Sequence, residues 1–261
     1  MRFDTPKISV VTVCYNAAGT IEETILSVLN QTYDNIEYII IDGGSTDGTV
    51  DIIKKYADHL AYWISEPDKG IYDAMNKGIA VATGDYINFM NAGDTFALDS
   101  TIANTFADAD IVRADVIYGN AIEKDSEGKL THHAALDDVR LLAKRPIYRH
   151  GASFVKSSVH KRNLFQTDRS KKYGYALDFL NIHTMFRMNC SFCRKDVDIM
   201  IFESEGVSNH PLQNLKYNYL ITHQDGHRLK DLIAFGGSYI KCALYQIPLI
   251  RNSHKFLKKN L

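Results

Sequence analysis

Four short apolar runs, at 8–14, 36–41, 60–65 and 86–90, alternate with helical periodicities, and each run ends in polar or glycine-rich residues. The first run, ISVVTVC, is continuous and β-branched, as expected of a strand buried on both faces. Asn16 and Gly19 break it. Over 20–29, Ile21, Ile25, Val28 and Leu29 form one helical stripe. A second helix is expected over 50–56, with Thr46 or Asp47 as its cap. A third is expected over 71–82, with Ile71, Met75, Ile79 and Ala82 on one side. Such alternation predicts right-handed βαβ units and an α/β fold around a mostly parallel, Rossmann-like sheet with flanking helices. Ligands of these sheets sit beyond the carboxyl ends of the strands. The polar punctuation falls there each time: Tyr15-Asn16, Asp42-Gly43-Gly44, Glu66-Pro67-Asp68 and Asn91 to Asp94.

The later pattern is looser. A short strand is expected at 115–119, an exposed loop or hairpin at 123–135, a helix at 175–188 and a strand at 197–202. Residues 212–245 read as mostly helical. No linker separates the halves. We therefore expect one interlocked domain at 1–227, with a nucleotide-binding half at 1–110 and an acceptor-binding half at 111–227. A C-terminal helical appendix follows at 228–261. With 261 residues the chain has ample core. Its net charge of −1 suggests no nucleic-acid partner, but the distribution is uneven. Residues 1–110 hold 17 acids against 6 Lys and Arg, whereas 228–261 hold 7 Lys and Arg against 1 acid. Cys190 and Cys193 form a lone C-x-x-C, short of the four ligands of a zinc site. Reduced thiols and a cytoplasmic setting fit better. The N-terminus resembles neither a signal peptide nor a membrane span.

At a strand tip, Asp42 can accept from a base N–H or a ribose hydroxyl, and the glycines beside it let a flat ligand lie against the backbone. A tight βα turn alone is the plainer alternative. No G-x-G-x-x-G or phosphate-loop motif is present. Asp94, on a strand-end loop with Asn91 and Gly93, suits Mg²⁺ or Mn²⁺, which take few protein carboxylates and complete their shells with phosphate oxygens and water. An Asx-turn is the alternative there.

The runs ISVVTVCYNA, TIEETILSVLNQTYDNIEYIIIDGGSTDGT and SEPDKGIYDAMNKGIAVATGDYINFMNAGD resemble the N-terminal half of family 2 glycosyltransferases. The likeness is nearly continuous over 7–96. It thins afterwards through Asp115 to Gly119, His150, Phe154 to Lys156 and Ala176 to Phe179. It is nearest the bacterial branch that builds capsule, exopolysaccharide and O-antigen units. The resemblance implies an inverting enzyme of GT-A fold that uses a nucleotide-diphosphate sugar, and a hexosyl- or N-acetylhexosaminyl-transferase. It sets Tyr15 and Asn16 beside the nucleotide and Asp42 against the base or ribose. Asp68, Asp73 and Asn76 fall along the donor sugar and ribose. The metal motif falls on Asn91 to Asp94, with Asp94 on Mn²⁺ or Mg²⁺. His150 falls near the leaving group or acceptor, and Asp178 becomes the general base. Two departures stand out. Gly43 replaces an acid that many members aim at uracil, which weakens the case for a uridine donor. The metal motif reads N-A-G-D, with one carboxylate.

Read without the resemblance, Asp178 is a buried acid paired with Arg169 or Lys172. A nucleotidyltransferase would want a basic, glycine-rich loop after the first strand, where this chain has CYNAAGT. A non-catalytic nucleotide-sugar binder would lack the base. In the appendix, Leu229, Leu232, Ile233, Ile240, Ala243, Leu244 and Ile247 share a stripe, followed by Arg251, Lys255, Lys258 and Lys259. Such a helix can lie peripherally on the inner face of a cell membrane, near lipid-linked glycan acceptors. Packing on its own domain or on a second subunit is the alternative.

Overall fold

The computed structural model describes residues 5–108, 111, 113–204, 211–226 and 229–245. Strand β1 (Ile8–Cys14) leads through α1 (Ile21–Leu29) to β2 (Ile36–Asp42), then through α2 (Thr49–Lys55) to β3 (Tyr62–Ser65), and through α3 (Ile71–Val81) to β4 (Tyr86–Phe89). These four strands are parallel, with Val11 of β1 opposite Ile39 of β2 and Phe89 of β4. Every residue of β1 is buried, as its continuous apolar run predicts. Alternate side chains enter separate cores: Ile8 and Val10 join Ile25 of α1, whereas Val11 and Val13 join Met75 and Ile79 of α3.

Beyond β4 come β5 (Thr95–Phe96), α4 (Thr101–Thr105), β6 (Val116–Lys124) and β7 (Leu130–His133). Then follow β8 (Ser153–Lys156), α5 (Ser157–Arg162), α6 (Ser170–Tyr173), α7 (Leu177–Arg187) and β9 (Phe192–Glu203). The sheet order is β3-β2-β1-β4-β8-β6-β9-β5, with β7 on β6. Strand β8 is antiparallel to both neighbours, while β6 and β9 are parallel. The expected α/β architecture is therefore observed.

Several elements exceed their sequence signal. The segment at 123–135 is a hairpin: β6 runs on to Lys124 and pairs with β7. Strand β9 starts at Phe192, not 197, because Phe192 to Arg194 pair with Val116 to Tyr118 although Arg194 and Lys195 break the apolar pattern. Backbone pairing, which side-chain pattern reports only indirectly, decides that boundary.

Helix α8 (Pro211–Thr222) buries Ile221 in the core that holds Leu177 and Leu180 of α7. Helix α9 (Leu229–Tyr245) stacks Phe235 on Tyr219 of α8 at 4.3 Å. Phe235 lies off the predicted stripe, whose Leu232, Ile233 and Ile240 are exposed. The basic residues from Arg251 onward, with Ile247, lie outside the described residues. No helix among those described is long and apolar enough to cross a membrane.

Candidate active site

The strand-end loops are fastened to one another before any ligand arrives. Asp42 closes β2 and is fully buried. Its Oδ1 accepts from the Ser45 hydroxyl at 2.5 Å and faces the Cys14 thiol at 3.4 Å. Its Oδ2 accepts from the Gly44 and Ser45 amides and from the Ser65 hydroxyl of β3. Burial works against ionisation, but these donors hold the carboxyl below the usual range. Asp42 is expected to meet a base or ribose; in this structure its oxygens fix the loop. Asn16, at φ 48°, accepts from the Thr46 amide, and the Asp47 carboxylate accepts from the Ala18 and Thr49 amides. Asp47 thus bonds the first turn of α2 as predicted, although the N-cap position itself is Gly48.

Tyr15 stands 65% exposed at the end of β1. Asp68 accepts the Gly70 amide on Oδ1 at 2.7 Å, and its Oδ2 leans over Gly43. A Cβ at position 43 would lie 3.3 Å from the Tyr15 ring and closer still to Asp68. Gly43 therefore leaves the space in which Asp68 and Tyr15 meet. Asp73 accepts the Lys69 amide. The Asn76 amide nitrogen donates to the Phe165 carbonyl and its oxygen accepts the Phe165 amide, both at 2.9 Å. Both ends of that side chain thus join α3 to the second half of the chain.

The Asn91–Asp94 turn is braced by Thr24 of α1. The Thr24 hydroxyl donates to the Asp94 carbonyl and accepts the Gly93 amide, with Gly93 at φ 97°. Asn91 Oδ1 is buried with no hydrogen-bond partner among the described residues. Asp94 is pushed up to about 7 by burial, opposed by Arg149 and reinforced by Glu203. A desolvated carboxylate and an orphaned amide oxygen in one turn fit a hard cation, which takes oxygen ligands. The described residues hold no group of three or more His, Cys, Asp or Glu that could bind a metal unaided. The donor set thus suits an ion whose remaining ligands come from a diphosphate and water.

Asp178 lies in the first turn of α7 and lines a cavity of about 310 Å³ with Arg149 and His150. Burial pushes its carboxyl up to about 6, against the pull of the Phe179 amide and the Arg149 guanidinium. Neither predicted partner pairs with it: Arg169 bonds Gln224 and Lys172 sits over the Tyr173 ring. His150 stacks on Phe89 with centroids 5.4 Å apart, and burial lowers it to about 4, leaving a neutral imidazole at neutral pH. Arg149 lies over the Phe202 ring at 4.5 Å and acts electrostatically on both Asp94 and Asp178. It is the cation common to the two acids, and the sequence reading missed it. Its neighbour His150 was the available signal.

Tyr72 of α3 was missed as well. Its hydroxyl donates to the Tyr175 carbonyl at 2.5 Å, tying the first half to the turn that carries Asp178. Asn214 and Asn218 of α8 also line the cavity and had no signal beyond helical spacing.

The family model described as glycosyl transferase family 2 matches residues 9–199. An uncharacterized glycosyltransferase of Mycobacterium tuberculosis is 31% identical over 254 residues, covering 91% of this chain and 89% of the relative. A PGL/p-HBAD biosynthesis glycosyltransferase of Mycobacterium bovis is 33% identical over 166 residues, 62% of each chain. Among solved structures, Staphylococcus aureus TarS 1–349 aligns with a TM-score of 0.62 at 20% identity, over 82% of this chain and 64% of that one. The mannosyltransferase PcManGT from Pyrobaculum calidifontis, solved with GDP-Man and Mn²⁺, aligns with a TM-score of 0.64 at 19% identity, over 92% of this chain and 69% of that one. The shared fold is GT-A.

Proposed function

This chain belongs to glycosyl transferase family 2, and on that footing we propose that it moves a hexosyl or N-acetylhexosaminyl unit, with inversion, from a nucleoside-diphosphate donor to a hydroxyl of a glycan or lipid-linked acceptor in surface polysaccharide synthesis. The observation that carries this reading is Asp178, a half-buried carboxylate raised to about 6 that lines a cavity with Arg149 and His150. Such a group remains ionised at neutral pH yet is more basic than a solvated acid, as general-base work requires.

Asp178 takes the proton of the acceptor hydroxyl. That oxygen forms the new bond to the anomeric carbon as the bond to the diphosphate breaks, and the electron pair departs with the diphosphate. Arg149 offers a fixed positive charge near the developing diphosphate, and neutral His150 can donate one N–H. Tyr15 and Asp68 flank the nucleoside, and Asp73 lies along the donor. Asn16, Asp42 and Asn76 act indirectly, by holding the loops. Asp94, with Asn91 beside it, would hold Mn²⁺ or Mg²⁺, which neutralises diphosphate charge when bound. UDP is the first donor nucleotide to test, since TarS has been solved with UDP and with UDP-GlcNAc.

The deciding experiment screens UDP- and GDP-sugars for nucleotide-diphosphate release with Mn²⁺ and a saccharide acceptor. Acceptor-dependent release from at least one donor is expected, and it should collapse in Asp178→Asn. Release that is equal in the variant would remove Asp178 as the base.

Peripheral membrane contact rests on a separate observation. Helix α9 exposes Leu232, Ile233 and Ile240, and the C-terminal segment is rich in Lys and Arg. Such a face suits an anionic lipid surface. The full chain should float with vesicles containing phosphatidylglycerol, and Ile233→Glu with Ile240→Glu should abolish flotation. Equal flotation would discard the idea.

A further inference from the structure

Helix α1 turns two kinds of side chain inward. Ile21, Ile25 and Val28 pack into the core with Ile8 and Val10 of β1. Beside that stripe, Thr24 and Ser27, with Gln31 just past the helix, fall at the spacing of one helix face. Each bonds the backbone of the segment that leaves β4. Thr24 bonds Gly93 and Asp94, and Ser27 accepts the Phe96 amide at 3.3 Å. Gln31 donates to the Leu98 carbonyl and accepts the Ile102 amide. This polar stripe therefore runs along residues 93–102, and its first contact is the turn that carries Asp94.

Thr24 differs from other helical threonines of the chain. The hydroxyls of Thr105, Thr184 and Thr222 donate to the carbonyl one turn back in their own helices. Thr24 is fully buried and donates instead to the Asp94 carbonyl at 2.8 Å, while accepting the Gly93 amide at 3.0 Å. Its hydroxyl thus gives and accepts a bond outside its own helix. Among the described residues, Thr24 is the one side chain bonded to the backbone of 91–94.

The remaining holds on the turn are backbone. The Ala92 amide donates to the Val13 carbonyl of β1, and the Asp94 amide closes on the Asn91 carbonyl. Thr95 and Phe96 then pair with Ile201 and Met200 of β9. Gly93 lies at φ 97°, and a Cβ there would stand 3.8 Å from the Thr24 hydroxyl, an ordinary contact. Glycine is therefore needed for the backbone angle and not for space. Thr24 grips the two ends of the Gly93–Asp94 dipeptide, and so fixes the direction in which the Asp94 side chain leaves the chain.

We propose that Thr24 is a positioning residue for the metal: by fixing the Gly93–Asp94 backbone, it sets how tightly Asp94 and the diphosphate hold Mn²⁺ or Mg²⁺. The proposal rests on Asp94 being the carboxylate that binds the metal. A turn with one carboxylate has no second acid to compensate for a misdirected first, so its affinity depends on how firmly that one is aimed.

The test titrates Mn²⁺ calorimetrically into the full chain with UDP present, or GDP where the donor screen selects it. Thr24→Val keeps the shape and removes the hydroxyl. Its Mn²⁺ affinity should fall about 10- to 100-fold, the usual cost of losing a group that orients a metal ligand. Thr24→Ser should restore most of that affinity. Ser27→Ala, on the same stripe but outside the turn, should keep wild-type affinity whatever its melting temperature. Turnover of Thr24→Val should recover as Mn²⁺ is raised, which a general loosening of the fold would not allow. Thr24→Ala serves as the second variant should valine prevent folding. Wild-type Mn²⁺ affinity in a folded Thr24→Val or Thr24→Ala, or a loss that Thr24→Ser does not restore, would overturn the proposal. Asp94→Asn separates the two failures. If it loses affinity and the Thr24 variants do not, the role of Thr24 alone is wrong. If it keeps wild-type affinity, or wild type binds no Mn²⁺, the metal reading of Asp94 fails and takes the proposal with it.

Discussion

A Cβ placed on Gly43 would stand 2.5 Å from Oδ2 of Asp68, so the two residues occupy one space in turn: a side chain at 43, or the carboxylate of 68. This explains how a chain without the second acid of the β2 loop still presents a carboxylate at that spot, brought in from the β3 end. The clash is with the tip of a side chain, so the backbone need not move. Gly43→Ala should therefore fold normally, displace Asp68 and weaken UDP binding about tenfold, as read by calorimetry with Mn²⁺. Gly43→Asp adds a like charge and should weaken it further. Unchanged affinity in both would show that Asp68 is not part of the nucleoside wall.

The Asp178 carboxyl, raised to about 6, sets a sign for pH. A base must be ionised, so kcat should climb as pH rises through about 6 and level off above 7. Asp178→Asn should lower kcat by ~10²–10⁴-fold with little change in donor KM. A wild-type profile flat from pH 5 to 8 would contradict this role.

Asp94 gives an independent titration. With its carboxyl near 7, Mn²⁺ must displace a proton at acidic pH. Affinity for Mn²⁺ in the presence of UDP should fall about tenfold per unit below pH 7 and level off above 8. Calorimetry in buffers of different ionisation enthalpy should register close to one proton released at pH 6. Asp94→Asn should weaken binding and remove the pH dependence. A variant that keeps both would exclude Asp94 as a ligand.

The βαβ half was legible because its signals are local. ISVVTVC and the stripes of α1 and α3 each carry their own periodicity, and the polar residues that end each strand are contiguous with it. The roles of Asp42 and Asn76 were not legible. Asp42 is bonded by Ser65 of β3, 23 positions away, as well as by its own neighbour Ser45, and the partner of Asn76 is backbone 89 positions away. Arg149 was invisible for the same reason. Its significance lies in proximity to Asp94 and Asp178, which β4, α7 and a long irregular stretch bring together. In the tail, Leu232, Ile233 and Ile240 of the expected stripe are exposed, and Phe235, off that stripe, is the residue that stacks on Tyr219 of α8.

Glu37 lies at the other end of the sheet from the site, so it separates stability from function. Its Oε1 accepts from Lys7 Nζ at 2.8 Å and the Thr83 hydroxyl at 2.5 Å. Its Oε2 accepts from the Ser9 hydroxyl at 2.5 Å and the Thr83 amide at 2.7 Å. The network ties β1, β2 and Thr83, just past α3, into one end of the fold. Burial alone would raise the carboxyl, but these four donors overcome it and hold it near 2. A depressed carboxyl stabilises the folded state fully above its unfolded value of 4.5, and that contribution is lost as pH falls toward 2. Glu37→Gln keeps the shape but not the charge. Because Lys7 is itself 39% exposed, the expected loss is only about 2 kcal/mol at pH 7. Urea unfolding of wild type and variant at pH 7 and pH 3 tests this: the gap should narrow at pH 3 while UDP affinity at pH 7 stays the same. A gap independent of pH would mean that the charge contributes nothing and that packing accounts for the loss.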